Sequence, residues 1–321
     1  MDSLLTILRG LADPSRVRIL LLVRRMELSV GELAVVMGQS QPRVSRHIRI
    51  LADAGLVRRA KEGAWVFVRL GLPTICGPVL AAIDALAGQA GADDQARLAE
   101  VRAERAVAAD AWFAARAADW DRERALYIAE SRVEAAIVAA LGDASDLGAL
   151  IDVGTGTGRM IELLGSRASR ALGIDRSPEM LRLARGRIEA IGFAHAEVRH
   201  GDMYALPRPE HSADTVVLHQ VLHFADDPAA VIAEAARVLA PGGRLLVIDF
   251  ASHDREELRS QQRHARLGFA EDQLLGWMTA AGLAAGVAAR LPDPARLAVT
   301  LWLGTRAGDR TPAHNHERQA A

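Results

Sequence analysis

A chain of 321 residues exceeds what one hydrophobic core normally organises, so two domains are expected. Half the residues are hydrophobic and a quarter are charged, which excludes a disordered resting state, and the single cysteine, Cys76, excludes an intramolecular disulfide and a zinc site built on several thiolates. The net charge of −1 conceals an asymmetry: residues 1–75 carry twelve Arg and Lys against six Asp and Glu, so this part is +6, the remainder −7, and only the first part suits a polyanion.

Asp13-Pro14 places a capping residue before a proline at a helix start, and Val17, Ile19, Leu20, Leu21 and Val23 follow as a buried helix. Ser29-Val30-Gly31-Glu32 has capping-box spacing ahead of Leu33, Val36 and Met37, and Gly38 ends that helix. Ser40 is expected to cap the next, where Val44, Ile48 and Leu51 share one face and Ser45, Arg46 and Arg49 point outward. Two short helices around a glycine turn, the second with an Arg-rich outer face, have the geometry of a major-groove reader. Gln41 and Arg43, in its first turn, join the DNA-binding candidates. From Leu56 to Leu70 apolar and polar residues alternate around Glu62-Gly63, a β-hairpin wing that would set Arg58, Arg59 and Lys61 along phosphates.

Together, "LADPSRVRIL" and "LSVGELAVVMGQSQPRVSRHIRILADAGLVRRAKEGAWVFVRL" resemble the arsenic-repressor (ArsR) family of winged-helix regulators. The resemblance implies a homodimer, formed through residues 3–11 and 74–88, on a two-fold symmetric double-stranded DNA operator. Metal sensors of that family carry cysteines in the helix that is Glu32 to Met37 here, and residues 48–194 hold no histidine, so no metal is expected to be sensed.

From Asp93 to Leu141 the chain has neither proline nor glycine, which predicts long helices. Trp112, Phe113, Trp120 and Tyr127 suggest that their later part packs on the second domain. Ala149 to Val153 is an apolar strand running into Gly154-Thr155-Gly156-Thr157-Gly158 and then a helix, the pattern of a nucleotide-cofactor unit. A second strand ends in Asp175, placed to accept from ribose hydroxyls. NAD enzymes share that acid but want glycine or alanine where this chain has Arg159. After a third strand, His200-Gly201-Asp202-Met203 would set Asp202 on an adenine amino group and Met203 on its ring. Asp214 to His219 makes a fourth strand, and Leu239 to Asp249 closes a helix with a turn and enters a fifth.

This ordered set over residues 149–250 is similar to the class I S-adenosylmethionine (SAM) dependent methyltransferases. The resemblance implies that Gly154, Gly156 and Gly158 border the methionine moiety, Asp152 orients its ammonium, Asp175 holds the ribose, Asp202 the adenine, and His219 lies beside the sulfonium. Arg176, Met180 and Met203 complete the expected cofactor set, with S-adenosylhomocysteine (SAH) as product. "HARLGF" at 264–269 and a helix around Leu274–Ala281 resemble the segment covering the acceptor pocket in quinone-biosynthesis methyltransferases, and strands over 285–291 and 298–304 complete seven.

The fold expected is therefore α/β: a winged helix-turn-helix over 1–90 for DNA binding and dimerisation, linking helices over 91–148, a Rossmann-like seven-stranded sheet over 149–306 and a disordered tail over 307–321. In-line attack on an activated sulfonium draws much of its rate from alignment, so no conspicuous base is required. His219, His223, Asp249 and His264 are the candidates for deprotonating a small-molecule acceptor. The Asn/Asp-Pro-Pro-Tyr motif of many amino-group methyltransferases is missing at Leu218-His219-Gln220-Val221, and one cysteine disfavours arsenite as acceptor. Three readings stay open: a bifunctional regulator and methyltransferase, a repressor that senses SAM or SAH without turnover, and an enzyme using the winged helix only to dimerise. No apolar run reaches the ~20 residues a membrane span needs, so a cytoplasmic protein without a membrane partner is expected.

Overall fold

The computed structural model describes residues 2–26, 28–62, 65–87, 92–117, 130–142, 147–293 and 296–308. They fall into two compact units, Met1–Ala109 and Asp110–Ala321. Trp120, Tyr127 and the tail beyond residue 308 lie outside the described residues, as do the side chains of Lys61, Trp112 and Phe113.

In the first unit α1 (Asp2–Leu11) and α2 (Pro14–Arg25) precede β1 (Leu28–Ser29), α3 (Val30–Met37), α4 (Gln41–Asp53), β2 (Val57–Glu62), β3 (Trp65–Leu70), α5 (Pro73–Ala87) and the start of α6 (Ala92–Arg116). Asp13 caps α2 by accepting from the Ser15 N–H at 2.8 Å. The capping box is complete, since the Ser29 hydroxyl accepts from Glu32 N–H while Glu32 accepts from Ser29 N–H. Gly38, at φ 63°, closes α3. Ser40 departs from expectation: it occupies the N-cap position of α4 but its side chain makes no capping bond. The strands form an antiparallel sheet in the order β1-β3-β2, so the hairpin gains a short third strand the apolar alternation had not shown. Ile19, Leu20, Leu33, Val36, Val44, Ile48, Leu51, Leu56 and Val68 fill the core. The first turns of α6 close it with Leu98 and Val101, and Asp94 takes a bidentate bond from Arg18 at 2.7 and 2.5 Å.

In the second unit α7 (Glu130–Ala140) leads to β4 (Ala149–Val153), α8 (Arg159–Leu164), β5 (Arg170–Asp175), α9 (Pro178–Ile191), β6 (Ala196–His200), β7 (Ala213–His219), α10 (Pro228–Val238), β8 (Leu239–Phe250), α11 (Glu257–Gln262), α12 (Glu271–Ala280), β9 (Leu283–Leu291) and β10 (Val299–Arg306). The seven strands run β6-β5-β4-β7-β8-β10-β9. The first five are mutually parallel and β10 is antiparallel to both neighbours, so the strand order reverses between β4 and β7. Open parallel sheets bind ligands at the carboxyl ends of their strands beside such a reversal. Apolar layers pack both faces, as parallel strands require: one is centred on Val216, Leu218, Leu245 and Trp302, the other on Leu150, Val217, Leu246 and Ile248. A turn was expected at Pro241-Gly242-Gly243; instead β8 begins at Leu239 and runs through it, with a pairing irregularity between Ala213 and Thr215 of β7. No helix among the described residues is long and apolar enough to cross a membrane.

Candidate functional site

The carboxyl ends of β4, β5, β6 and β7 gather most of the residues expected at a cofactor. Asp152 is buried in β4 and accepts from the Thr155 hydroxyl at 2.6 Å, so the strand's acid and the loop after it are one unit. Gly154 adopts φ 71° and its N–H reaches Ile174 O at 2.8 Å, folding the loop over β5. A Cβ on Gly154 would stand 2.3 Å from Val221 Cγ2, so only glycine fits between this loop and the segment leaving β7. Gly156 N–H donates to Asp175 Oδ2 and Ser177 N–H to Asp175 Oδ1, each at 2.8 Å. Asp175 thus pins the glycine loop to the end of β5 through both of its oxygens. Gly201 N–H reaches Asp175 O at 3.0 Å, which brings half-buried Asp202 and Met203 to the same edge.

A cradle that a side chain would fill, one carboxylate behind it and a second beside it fit the methionine and ribose ends of SAM. Such a cofactor supplies an electrophilic methyl group on a sulfonium. Arg176 lies half-buried next to Asp175. Met180 is 2% exposed on the inner face of α9, so its side chain packs in the core, while its N–H caps onto Ser177 Oγ. Arg159, the residue that departs from the NAD pattern, is tied at 2.7 Å to Glu134 of α7 and to Glu162.

Beyond β7 lies a buried polar cluster. His219 ends the strand, 8% exposed, and Gln220 follows at φ 53°, a left-handed conformation unusual for a side chain of its kind. The Gln220 Nε2 amide is buried and has no hydrogen-bond partner among the described residues. Composition and spacing offered no signal for it. His223 is 2% exposed; its Nδ1 lies 2.8 Å from Asp249 Oδ1 and its backbone N–H 3.1 Å from Asp249 Oδ2. The His264 ring sits 4.2 Å from that of His223 and stacks on Phe250, which also makes a T-shaped contact with His253. Burial is the main cause that holds His253 and His264 below the usual histidine pKa, His264 strongly so, and the nearby His223 adds to it. Three of the four acid-base candidates are therefore in contact. The sequence reading passed over His253, a histidine within the same stretch as His264.

In the first unit α4 buries Val44, Ile48, Leu51 and also His47, and exposes Gln41, Arg43, Ser45, Arg46 and Arg49. The outer face is as expected; His47 is an addition, and neither of its buried ring nitrogens has a hydrogen-bond partner among the described residues. On the hairpin Arg58 and Arg59 are exposed, and Lys61 lies on β2 opposite Val66. The register also sets Arg58 directly against exposed Arg69 of β3. Like charges facing across strands repel, a cost that a phosphate between them would relieve. Arg69 could not be picked out without that register. Cys76 is buried, donates to Leu56 O at 3.2 Å and has its pKa raised by burial, so it is a core thiol.

Residues 13–59 match the family model described as bacterial regulatory protein, arsR family, and residues 151–247 match that described as methyltransferase domain. A demethylmenaquinone methyltransferase of Tropheryma whipplei is 37% identical over 106 residues, 33% of this chain and 43% of that one. An arsenite methyltransferase of Aquipseudomonas alcaligenes is 33% identical over 126 residues, 35% of this chain and 36% of that one. The chain spans less than half the length of either relative. The crystal structure of the YcgJ protein from Bacillus subtilis is 16% identical with a TM-score of 0.48, covering 55% of this chain and 99% of that one.

Proposed function

We propose that this chain, an ArsR-family helix-turn-helix segment joined to a methyltransferase domain, is a DNA-binding regulator that binds SAM and methylates a small molecule. The observation that carries the cofactor half is Asp175, whose two oxygens hold the glycine loop and the turn after β5. Gly154, Gly156 and Gly158 then line the methionine end over Asp152, Asp175 and Arg176 take the ribose, and Asp202 with Met203 takes the adenine. His219 stands beside the methyl group. Gln41, Arg43, Ser45, Arg46 and Arg49 face bases and phosphates in the major groove, with Arg58, Arg59, Lys61 and, from the register, Arg69 on the flanking backbone. Leu4, Leu5 and Leu8 of α1 and Leu86 of α5, all exposed, supply the apolar face of a homodimer. The relatives' names refer to different acceptors, demethylmenaquinone and arsenite, and the described second unit holds no cysteine to bind arsenic. A cytoplasmic location suits a DNA operator as partner.

Calorimetric titration with SAM and SAH tests the cofactor half. Because Asp175 also anchors the loop, Asp175→Ala should be run beside Asp175→Asn, with thermal denaturation of each. The expected result is micromolar binding by the wild type, loss in Asp175→Ala and weakening in Asp175→Asn with folding retained. No binding by the wild type overturns both the enzyme and the sensor readings.

A further inference from the structure

We propose that His223, oriented by Asp249, is the proton acceptor for methyl transfer and that the acceptor is a planar hydroxyl compound, a phenol or enol. The inference rests on the SAM-binding reading above and extends it to the acceptor.

Position comes first. Val221 packs against the glycine loop, to the point that a Cβ on Gly154 would collide with it, and His223 lies two residues on, in the short turn Leu222–Phe224. His223 is thereby held at the carboxyl ends of β7 and β8, beside the loop that borders the methionine moiety. Tautomer follows from the bonds to Asp249. Its Oδ1 accepts from Phe250 N–H at 2.8 Å and its Oδ2 from His223 N–H at 3.1 Å, so both oxygens act as acceptors. The imidazole proton between the two side chains therefore resides on Nδ1 of His223, and Nε2 presents its lone pair. Among the described residues Nε2 makes no hydrogen bond. An imidazolium formed at His223 would be balanced by the carboxylate already bonded to it, the arrangement that makes a histidine an effective base. Burial lowers the proton affinity of His253 and His264 below that of an ordinary histidine.

The surroundings select the acceptor. The rings of Phe224, Phe250 and His264 lie 4.0, 4.9 and 4.2 Å from that of His223, so the groups flanking the base are flat rings, two of them apolar. A neutral imidazole is matched to the acidity of a phenol or enol far better than to that of an aliphatic alcohol. In the step, the acceptor's O–H bond breaks and its proton moves to Nε2. The oxygen's electron pair forms the bond to the methyl carbon, and the carbon–sulfur bond of SAM breaks with its pair left on sulfur, giving SAH. Asp249 touches none of these atoms and is a positioning residue.

Two measurements on the full chain test this. Modification by diethyl pyrocarbonate, mapped by mass spectrometry, reads the reactivity of each imidazole lone pair without turnover. His223 should react faster than His253 and His264, should be protected by 4-nitrophenol and not by cyclohexanol, and should slow about tenfold in Asp249→Asn, with a change of tautomer visible in its 15N ring shifts. An unreactive His223, or an Asp249→Asn protein with unchanged rate and shifts, overturns the assignment. Transfer of labelled methyl from SAM to a panel of phenols, aliphatic alcohols and amines should favour phenols and fall roughly 100-fold or more in His223→Asn with the SAH affinity retained. A wild type that binds SAM but labels no phenol, or a variant that transfers as well as the wild type, overturns it. Failure of SAH to bind at all would instead strike the cofactor reading.

Discussion

At the scale of single residues, two positions make quantitative demands. Gly154→Ala must place a Cβ 2.3 Å from Val221 Cγ2 in a backbone at φ 71°, so the loop has to shift. The expected cost is about 1–3 kcal/mol of stability in urea denaturation, with SAH affinity reduced at the same time. His264 supplies the pH dependence. Its folded pKa is depressed by burial, so the unfolded chain binds a proton that the folded one refuses once the pH drops below the unfolded value, roughly 6.5. Above that value the residue is neutral in both states and contributes nothing. Below it, stability should fall by up to about 1.4 kcal/mol per pH unit, with a smaller loss from His253, which is less buried. Urea denaturation at pH 7.5 and 5.5 checks this; a His264→Gln protein should show the shallower dependence.

Among the elements, α4 and the β2-β3 hairpin would divide the work of contacting DNA under the proposed reading. The inner face of α4 is set by Val44, Ile48 and Leu51, and it is this packing that turns Arg46 and Arg49 outward. If Arg46 meets a base edge, Arg46→Ala should cost about 1–3 kcal/mol of operator affinity and relax sequence preference. Arg58 and Arg69, paired across the hairpin, should act through phosphates, so Arg69→Ala should weaken operator and unrelated DNA alike and lower the salt slope by about one. Fluorescence anisotropy across a salt series with both DNAs separates the two behaviours; equal effects of Arg46→Ala on both would remove its base contact.

On the scale of the whole molecule, one apolar core serves residues 19–101 and two layers serve residues 133–302. Ligand that binds only the second unit should therefore stabilise only that unit. At 100 times its dissociation constant SAH should add about 2.7 kcal/mol to the unfolding transition of the second unit and leave that of the first in place. Calorimetric scans with and without SAH would show one transition moving; joint movement would reveal energetic coupling between the units and favour the sensor reading.

Features legible along the chain are local and periodic. Capping residues before apolar runs, a glycine loop between strand and helix, and an acid at the next strand end can be read because each depends on neighbours within a turn or a strand. Ser29, Gly38, Gly154 and Asp175 all lie where that reading put them, and the order of elements was enough to expect the seven-stranded sheet. Tertiary structure decided the contacts between residues far apart in the chain. The separation of 26 positions between His223 and Asp249 conceals a pair that only the adjacency of β7 and β8 creates. Arg69 became a candidate through strand register, and the strained backbone of Gln220 through the way β7 ends beside β8. Spacing along the chain constrains backbone conformation over a few residues; which side chains meet depends on how sheets and helices close, and no short window of sequence contains that.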